Sequence, residues 1–288
     1  MIKYNHFLMK ILLISLILIF TFDLSARQTT ELTFSYWNKP DINIFYSTPQ
    51  SIDQNTTILF LIHGDTRAAE QYINDWITLA KGRNVVLVAP MFSKTYFREY
   101  AFLMMSTENG KFLDNKSLHI NDSLGVIFDF FKAKLKISIP SYRLYGHSAG
   151  SQFVQNYLLL SEETRIDKAA MANNDFYTFI DDNISYPFGI KNIDISDTRL
   201  EWFLRLKAGI FLGEADNNSK DKSLSKIRKA RKQGKHRYER GKNFFDDLVK
   251  FGVDNNLPLR WRYHIVPGVG HDNKEMSLAA SEFLLEDL

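Results

Sequence analysis

Three residues, far apart along the chain, have the side-chain types that nucleophilic acyl transfer requires. Ser148 is the centre of the motif Gly-His-Ser-Ala-Gly, Asp216 follows later, and His271 lies close to the C-terminal end. A serine hydroxyl becomes a good nucleophile when a base takes its proton, and a carboxylate can orient and stabilise that base. The sequence therefore predicts a Ser-Asp-His catalytic triad, in this chain order.

The surroundings of Ser148 indicate a turn between a strand and a helix. A β-rich run, residues 142–145, precedes the motif, and apolar residues at helical spacing follow it between positions 153 and 158. Such a turn is so tight that Gly146 and Gly150 must leave room for neighbouring backbone. The serine is then held in a strained conformation that exposes its hydroxyl. We expect Ser148 to be the nucleophile.

The base is expected after the last strand, where His271 lies. It belongs to the glycine-rich loop Gly268-Val269-Gly270-His271-Asp272, between a β-rich run and the closing helix. Flexible glycine backbone can bring its imidazole back over the sheet. The remaining histidines lie in the N-terminal segment, in turn motifs or away from a comparable loop: His6, His63, His147, His119, His236 and His264.

The sequence offers several carboxylates as the acid of the set. Asp216 stands just past an apolar run, residues 208–212, and catalytic groups gather at the carboxyl ends of strands in open α/β sheets. Glu214 and Asp175 are the alternatives, because each also follows an apolar run. Asp194 and Asp197 lie in a segment expected to form a cap. Asp216 is the preferred acid.

The negative charge that develops during acyl transfer needs hydrogen-bond donors nearby. We expect an oxyanion hole made by the backbone N–H groups of Ala149, directly after the nucleophile, and Asp65, in the loop after the first central strand. This chemistry requires no metal ion and no organic cofactor. The chain has no cysteine, which excludes disulfides, thiol nucleophiles and thiolate metal sites.

Elements that could position these residues alternate along the chain. Short apolar runs and longer amphipathic stretches follow each other from residue 31 onward, which indicates an α/β fold with a mostly parallel sheet covered by helices on both faces. We expect one domain, residues 27–288, with residues 173–206 as a possible small cap insertion. The predicted strands are residues 32–37, 44–46, 57–62, 85–90, 142–145, 168–172, 208–212 and 262–266; helices are predicted over 68–81, 124–135 with Asn121 as its cap, and 273–285.

The N-terminus has the features of a secretory signal peptide. Lys3 and Lys10 precede an apolar run over residues 11–22, and Ala26 offers a cleavage site. The run is shorter than the roughly 20 residues that a membrane-spanning helix needs. We therefore expect residues 1–26 to be removed near Ala26 and the mature protein to be periplasmic or secreted.

Basic residues are concentrated between positions 220 and 242, although the formal net charge is only +3. Such runs usually form a solvated helix and loop surface, which is the expectation here. Weak contact with an anionic membrane surface is the alternative. Aromatic residues are scarce in the run, so nucleic-acid binding is not predicted.

The motifs together resemble those of the α/β-hydrolase superfamily. The matching segments are residues 61–69, the Ser148 motif, Gly213-Glu214-Ala215-Asp216 and Gly270-His271. The first of them loosely resembles that of secreted poly(3-hydroxyalkanoate) depolymerases and feruloyl-esterase-like serine esterases. The resemblance covers about residues 55–288 and implies an α/β-hydrolase fold.

The leading hypothesis is therefore an exported serine hydrolase that cleaves carboxylic esters, small or polymeric, through an acyl-enzyme on Ser148. Two alternatives stay open. A peptidase or amidase can use the same triad, because both reactions pass through a tetrahedral oxyanion. A catalytically silent member of the fold can serve as a binding protein, because fold alone does not guarantee chemistry.

Overall fold

A computed structural model, which describes residues 27–288, contains one sheet of eight strands in the order β1-β2-β4-β3-β5-β6-β7-β8. β1 is antiparallel to β2, and β2 is antiparallel to β4. The remaining neighbours in this order, from β4 through β3 to β8, are parallel. The strands are β1 Thr30–Phe34, β2 Ile42–Ser47, β3 Thr57–Ile62, β4 Val85–Met91, β5 Tyr142–His147, β6 Ile166–Ala172, β7 Lys207–Gly213 and β8 Arg262–Val266.

Helices cover both faces of this sheet, so its central strands are apolar on both sides. In β3, Ile58, Phe60 and Ile62 face one hydrophobic core. The alternate residues Leu59 and Leu61 face the other. The predicted α/β fold, a mostly parallel sheet with helices on both faces, is confirmed. The helices are α1 Ala69–Leu79, α2 Ser123–Leu135, α3 Ala149–Leu160, α4 Asp197–Arg205, α5 Arg228–Gln233, α6 Arg237–Asp254 and α7 Asn273–Leu285.

The largest local differences from the sequence predictions are at element ends. The first strand ends at Phe34, so Tyr36 and Trp37 lie beyond it and pack their rings on Phe34 instead. Asn121 does not cap α2: Asp122 holds the cap position, and its side chain makes no capping hydrogen bond. The helix is fixed instead by tertiary packing of its apolar face, a common source of helix stability in proteins.

Two segments without predicted elements contain short helices. Residues 91–118 include two 3-10 turns, Tyr100–Phe102 and Lys116–Leu118. The proposed cap segment, residues 173–206, is irregular up to α4, where Ser196 accepts the capping hydrogen bond from Arg199 N–H. The predicted signal peptide lies outside the described residues. Within residues 27–288, every helix is too short or too polar to cross a bilayer.

Candidate active site

Ser148 occupies the turn between β5 and α3. Its φ of 56° and ψ of −123° lie in a region that non-glycine residues rarely adopt. A Cβ at Gly146 would overlap the carbonyl of Gly150, and a Cβ at Gly150 would overlap the carbonyl of Ile62. Only glycine at both positions lets β5 enter α3 this sharply, and the turn places the serine side chain beyond the end of the sheet.

The structure brings Ser148, His271 and Asp216 into one hydrogen-bonded chain. The Ser148 Oγ to His271 Nε2 distance is 3.0 Å, and the His271 Nδ1 to Asp216 Oδ2 distance is 2.7 Å. Asp216 is buried, so its carboxylate accepts from Nδ1–H, and Nε2 is left to accept from the serine hydroxyl. This is the geometry that activates a serine nucleophile.

The loops that carry the acid and the base are joined to each other. Ala215 N–H donates to Val269 O at 2.8 Å, which links the loop after β7 to the loop after β8. Asn173, at the end of β6, accepts from Gly213 N–H and donates to Gly270 O, both at 2.8 Å. One asparagine side chain therefore fixes the spacing of the two loops. Asn173 is not among the residues predicted from the sequence.

The alternative acids have other partners. Glu214 accepts a hydrogen bond from Gly268 N–H at 3.1 Å and therefore supports the histidine loop through its backbone. Asp175 accepts from Ser225 N–H and lies 3.4 Å from an Nη of Arg240. Asp197 is the first residue of α4. Asp216 alone among the candidates contacts the imidazole of His271 in the described part of the chain.

The two predicted oxyanion donors flank the serine. Ala149 begins α3, so its N–H belongs to the unpaired first turn of that helix. Asp65 lies in the loop after β3, and a Cβ on the adjacent Gly64 would lie 3.6 Å from Ser148 Cβ. Among residues 27–288, neither N–H donates to another protein group. An oxyanion hole formed by these two N–H groups stays a prediction.

The loop that carries Asp65 is held by buried side chains. Phe92 N–H donates to His63 Nε2 at 3.0 Å, so Nδ1 carries the proton and donates to Gly64 O, also at 3.0 Å. Burial lowers the pKa of His63 to about 3, which keeps this tautomer neutral. Gly64 N–H donates to the hydroxyl of Tyr72 on α1 at 2.9 Å. Both backbone groups of Gly64 are thus fixed by neutral partners.

Two neighbours of the site differ in charge: Asp65 lies beside two cations, whereas His147 is neutral. The exposed carboxylate of Asp65 lies 3.0 Å from Lys94 Nζ and 3.6 Å from a guanidinium nitrogen of Arg67. The ring of His147, the residue before Ser148, lies 4.7 Å from that of His271. Burial, with the nearby His271, holds the pKa of His147 well below its usual range. His147 is therefore a neutral neighbour of the His271 imidazole.

The basic run contributes two residues to the interior, which corrects the expectation of a solvated surface for them. Arg237 and Arg240 are 2% and 1% exposed. They lie on the apolar face of α6 and pair with carboxylates near the site. The other basic residues of the run are exposed, and their contact with an anionic membrane surface stays a prediction: Lys220, Lys222, Lys226, Arg228, Lys229, Arg231, Lys232, Lys235 and Lys242.

No group of three or more histidine and acidic side chains in residues 27–288 is arranged to hold a metal ion.

The site residues absent from the sequence predictions are Asn173, Tyr72 and Arg237. Only Arg237 left a signal, because it precedes Phe244 and Leu248 at helical spacing, on the face of α6 that must be buried.

Comparison with solved structures finds hydrolases of the same fold. A poly(aspartic acid) hydrolase from Sphingomonas sp. KT-1 has a TM-score of 0.83 at 30% identity, over 89% of this chain and 98% of its own. A poly(3-hydroxybutyrate) depolymerase from Bordetella parapertussis has 0.82 at 21% identity, over 92% of both chains. An S-formylglutathione hydrolase from Agrobacterium tumefaciens has 0.56 at 12% identity, over 90% of this chain and 96% of its own. Because their sequence identities are low, the last two show only that the fold is shared. No protein-family model and no curated sequence matches the chain.

Proposed function

The chain belongs to the α/β-hydrolase superfamily, and from that premise we propose that it is an exported serine hydrolase that cleaves carboxylic esters through an acyl-enzyme on Ser148. The observation that carries the proposal is the hydrogen-bonded chain from Ser148 Oγ through His271 to Asp216. Export is proposed from the sequence of residues 1–26 alone.

The first half of the reaction transfers the acyl group to the protein. Ser148 Oγ attacks the ester carbonyl carbon while His271 Nε2 takes the hydroxyl proton. Asp216 stabilises the imidazolium that forms and keeps the ring oriented. When the tetrahedral intermediate collapses, His271 gives its proton to the departing alkoxide, the alcohol leaves, and the acyl group remains bound to Ser148.

The second half releases the acid. A water molecule attacks the acyl carbon as His271 Nε2 takes a water proton, and a second tetrahedral intermediate forms. Its collapse returns the proton from His271 to Ser148 Oγ and frees the carboxylic acid. In both intermediates, the oxyanion would accept hydrogen bonds from Ala149 and Asp65 N–H. The N-terminal dipole of α3 favours the same negative charge.

Amide hydrolysis is the second candidate, and one comparison favours it. The 30% identical relative is a poly(aspartic acid) hydrolase, and the units of poly(aspartic acid) are joined by amide bonds. The same triad serves both reactions, but an amine must be protonated as it leaves, whereas an alkoxide leaves more readily. The proton delivered by His271 is therefore more critical for an amide than for an ester.

A 4-nitrophenyl ester and the 4-nitroanilide of the same acyl group separate the two candidates. We expect a higher kcat/KM on the ester and a loss of at least about 10³-fold in Ser148→Ala, because the nucleophile is gone. Ester hydrolysis that survives this substitution would contradict the proposal. A kcat/KM on the anilide equal to that on the ester would favour the amide candidate, and unchanged biological function in Ser148→Ala would favour a binding protein.

A further inference from the structure

The guanidinium of Arg237 lies directly against the triad acid. Its Nη1 is 3.3 Å from Asp216 Oδ1, while Asp216 Oδ2 accepts the hydrogen bond from His271 Nδ1 at 2.7 Å. Each carboxylate oxygen of Asp216 thus faces a different partner. We propose that Arg237 is a positioning residue that orients Asp216 toward His271 and balances the charge of the triad. This inference rests on the proposed function.

Arg237 is itself fixed from several directions. It begins α6, and its Nη2 donates to Ser223 Oγ at 2.9 Å and lies 3.7 Å from Asp221 Oδ1. Its Nε lies 3.6 Å from Asp175 Oδ1. The next residue, Tyr238, donates its N–H to the backbone carbonyl of Asp216 at 3.2 Å. The start of α6 therefore contacts Asp216 twice, through the side chain of Arg237 and through the backbone N–H of Tyr238. These two contacts leave Asp216 little rotational freedom.

Arg237 also changes the charge that His271 experiences. Three carboxylates, those of Asp175, Asp216 and Asp221, face two guanidiniums in this cluster, which leaves one net negative charge. Protonation of His271 during the reaction neutralises it. Without Arg237 two negative charges would remain, and they would stabilise the imidazolium in the resting enzyme. Less of the base would then be free at a given pH.

The other titratable groups around the cluster do not replace this charge. Burial raises the pKa of Asp175, and both arginines act in the opposite direction. Burial keeps Tyr177, which feels the charge of Asp216, and His147, which feels that of Arg237, uncharged near neutral pH. More distant charges act on two other members of the cluster: Glu108 on Asp175, and Arg231 and Glu239 on Arg240.

Arg240 is a matched control for Arg237. It comes from the same basic run and the same helix and is equally buried. Its contacts go to Asp175, to Ser225 O and to Gly234 O, and none goes to Asp216 in the described residues. A substitution at Arg240 therefore tests the loss of a buried guanidinium without loss of the contact to the triad acid.

The test is the pH dependence of Ser148 modification by a fluorophosphonate, which needs no knowledge of the substrate. In Arg237→Met we expect the acidic limb to move up by about one pH unit. One unit below the wild-type midpoint, this shift alone would slow the reaction about tenfold, and together with the lower plateau expected for this variant the slowing would be about a hundredfold. The alkaline plateau should also fall about tenfold, because Asp216 loses its orientation. Arg240→Met removes a charge that contacts Asp175 and not Asp216, so its acidic limb should move up by less than that of Arg237→Met, and its plateau should stay at the wild-type level.

Thermal unfolding shows whether each variant is folded. A folded Arg237→Met with an unmoved acidic limb would overturn the inference while leaving the proposed function intact. If Arg237→Met does not fold, Arg237→Lys tests the inference in its place. This variant keeps the positive charge but loses the planar, forked guanidinium that contacts Asp216. Its plateau should fall severalfold while that of Arg240→Lys does not, and equal plateaus would overturn the inference. A wild-type protein that does not react would overturn the proposed function and this inference with it.

Discussion

Asp216 and Asp175 both reach the guanidinium of Arg237, but only Asp216 reaches the imidazole of His271. Spacing along the chain does not separate them, because each follows the carboxyl end of a parallel strand. The difference comes from long-range contacts. The bond from Ala215 to Val269 brings the loop after β7, and not the loop after β6, against the histidine loop. A sequence shows the candidates, but only the fold shows which loop meets which.

This difference predicts unequal effects of the same substitution. In Asp216→Asn, the amide can no longer stabilise the imidazolium and can hold the wrong tautomer, so kcat should fall by about 10³ to 10⁴. Among residues 27–288, the carboxylate that Asp175→Asn removes pairs with the two arginines and Ser225, so kcat should fall by about tenfold or less. Ester hydrolysis by the two purified variants measures both effects.

Thermal unfolding of the two variants is the control, because each substitution alters a buried ion pair. If Asp175→Asn, once shown to be folded, lost as much activity as Asp216→Asn, the assignment of the acid would be wrong.

Among the elements, strands were predicted more closely than the polar helices. The limits of β3 and α7 match the apolar runs of the sequence, because burial of a strand on both faces, or of a helix along one stripe, leaves a clear pattern. The limits of β8 match as well, although this edge strand is only partly buried. In the sequence, the start of α6 stands out only as part of the basic run between positions 220 and 242. The buried residues of α6 are Arg237, Arg240, Gly241, Phe244, Leu248 and Gly252. The buried stripe therefore begins with two arginines, which a count of charges alone would place in solvent.

The helix that follows His271 begins with a side-chain cap. Asp272 accepts a hydrogen bond from Glu275 N–H at 2.9 Å, which satisfies one of the free donors of α7 directly beside His271. Asp272→Ala should lower the free energy of unfolding by about 1 kcal/mol, whereas Asp272→Asn keeps an acceptor and should change it little. Urea unfolding of the two variants measures the difference. Equal stability would show that the side-chain cap is unimportant.

At the scale of the whole molecule, the residues after α7 form ion pairs with two strands of the sheet. Asp287 pairs with Arg143 of β5 at 2.7 Å and with Lys168 of β6 at 3.1 Å. Both cations are almost fully buried on the face under α7. The hydrogen bonds from Arg143, with those from Lys168, hold the pKa of Asp287 far below its usual range. The chain end therefore supplies the counter-charge for two strands of the catalytic sheet.

The depressed pKa gives this contact a defined pH dependence. Its stabilisation is complete above the pKa of an unfolded aspartate, about 3.9, and is lost as the pH falls below it. Asp287→Asn should therefore unfold at a lower urea concentration than the wild type at pH 7. The difference between the two proteins should shrink as the pH falls below about 4. A difference of constant size from pH 7 to pH 3 would show that the charge of Asp287 is not the cause.

The central claim is that Ser148 is the nucleophile of an assembled triad. The most direct measurement is reaction of the folded protein with an active-site fluorophosphonate, followed by mass spectrometry of the proteolytic peptides. We predict one adduct, on Ser148, which is absent from Ser148→Ala and forms far more slowly in His271→Ala, because the base that activates the serine is missing. An adduct on another residue, or no adduct on a folded protein, would contradict the account.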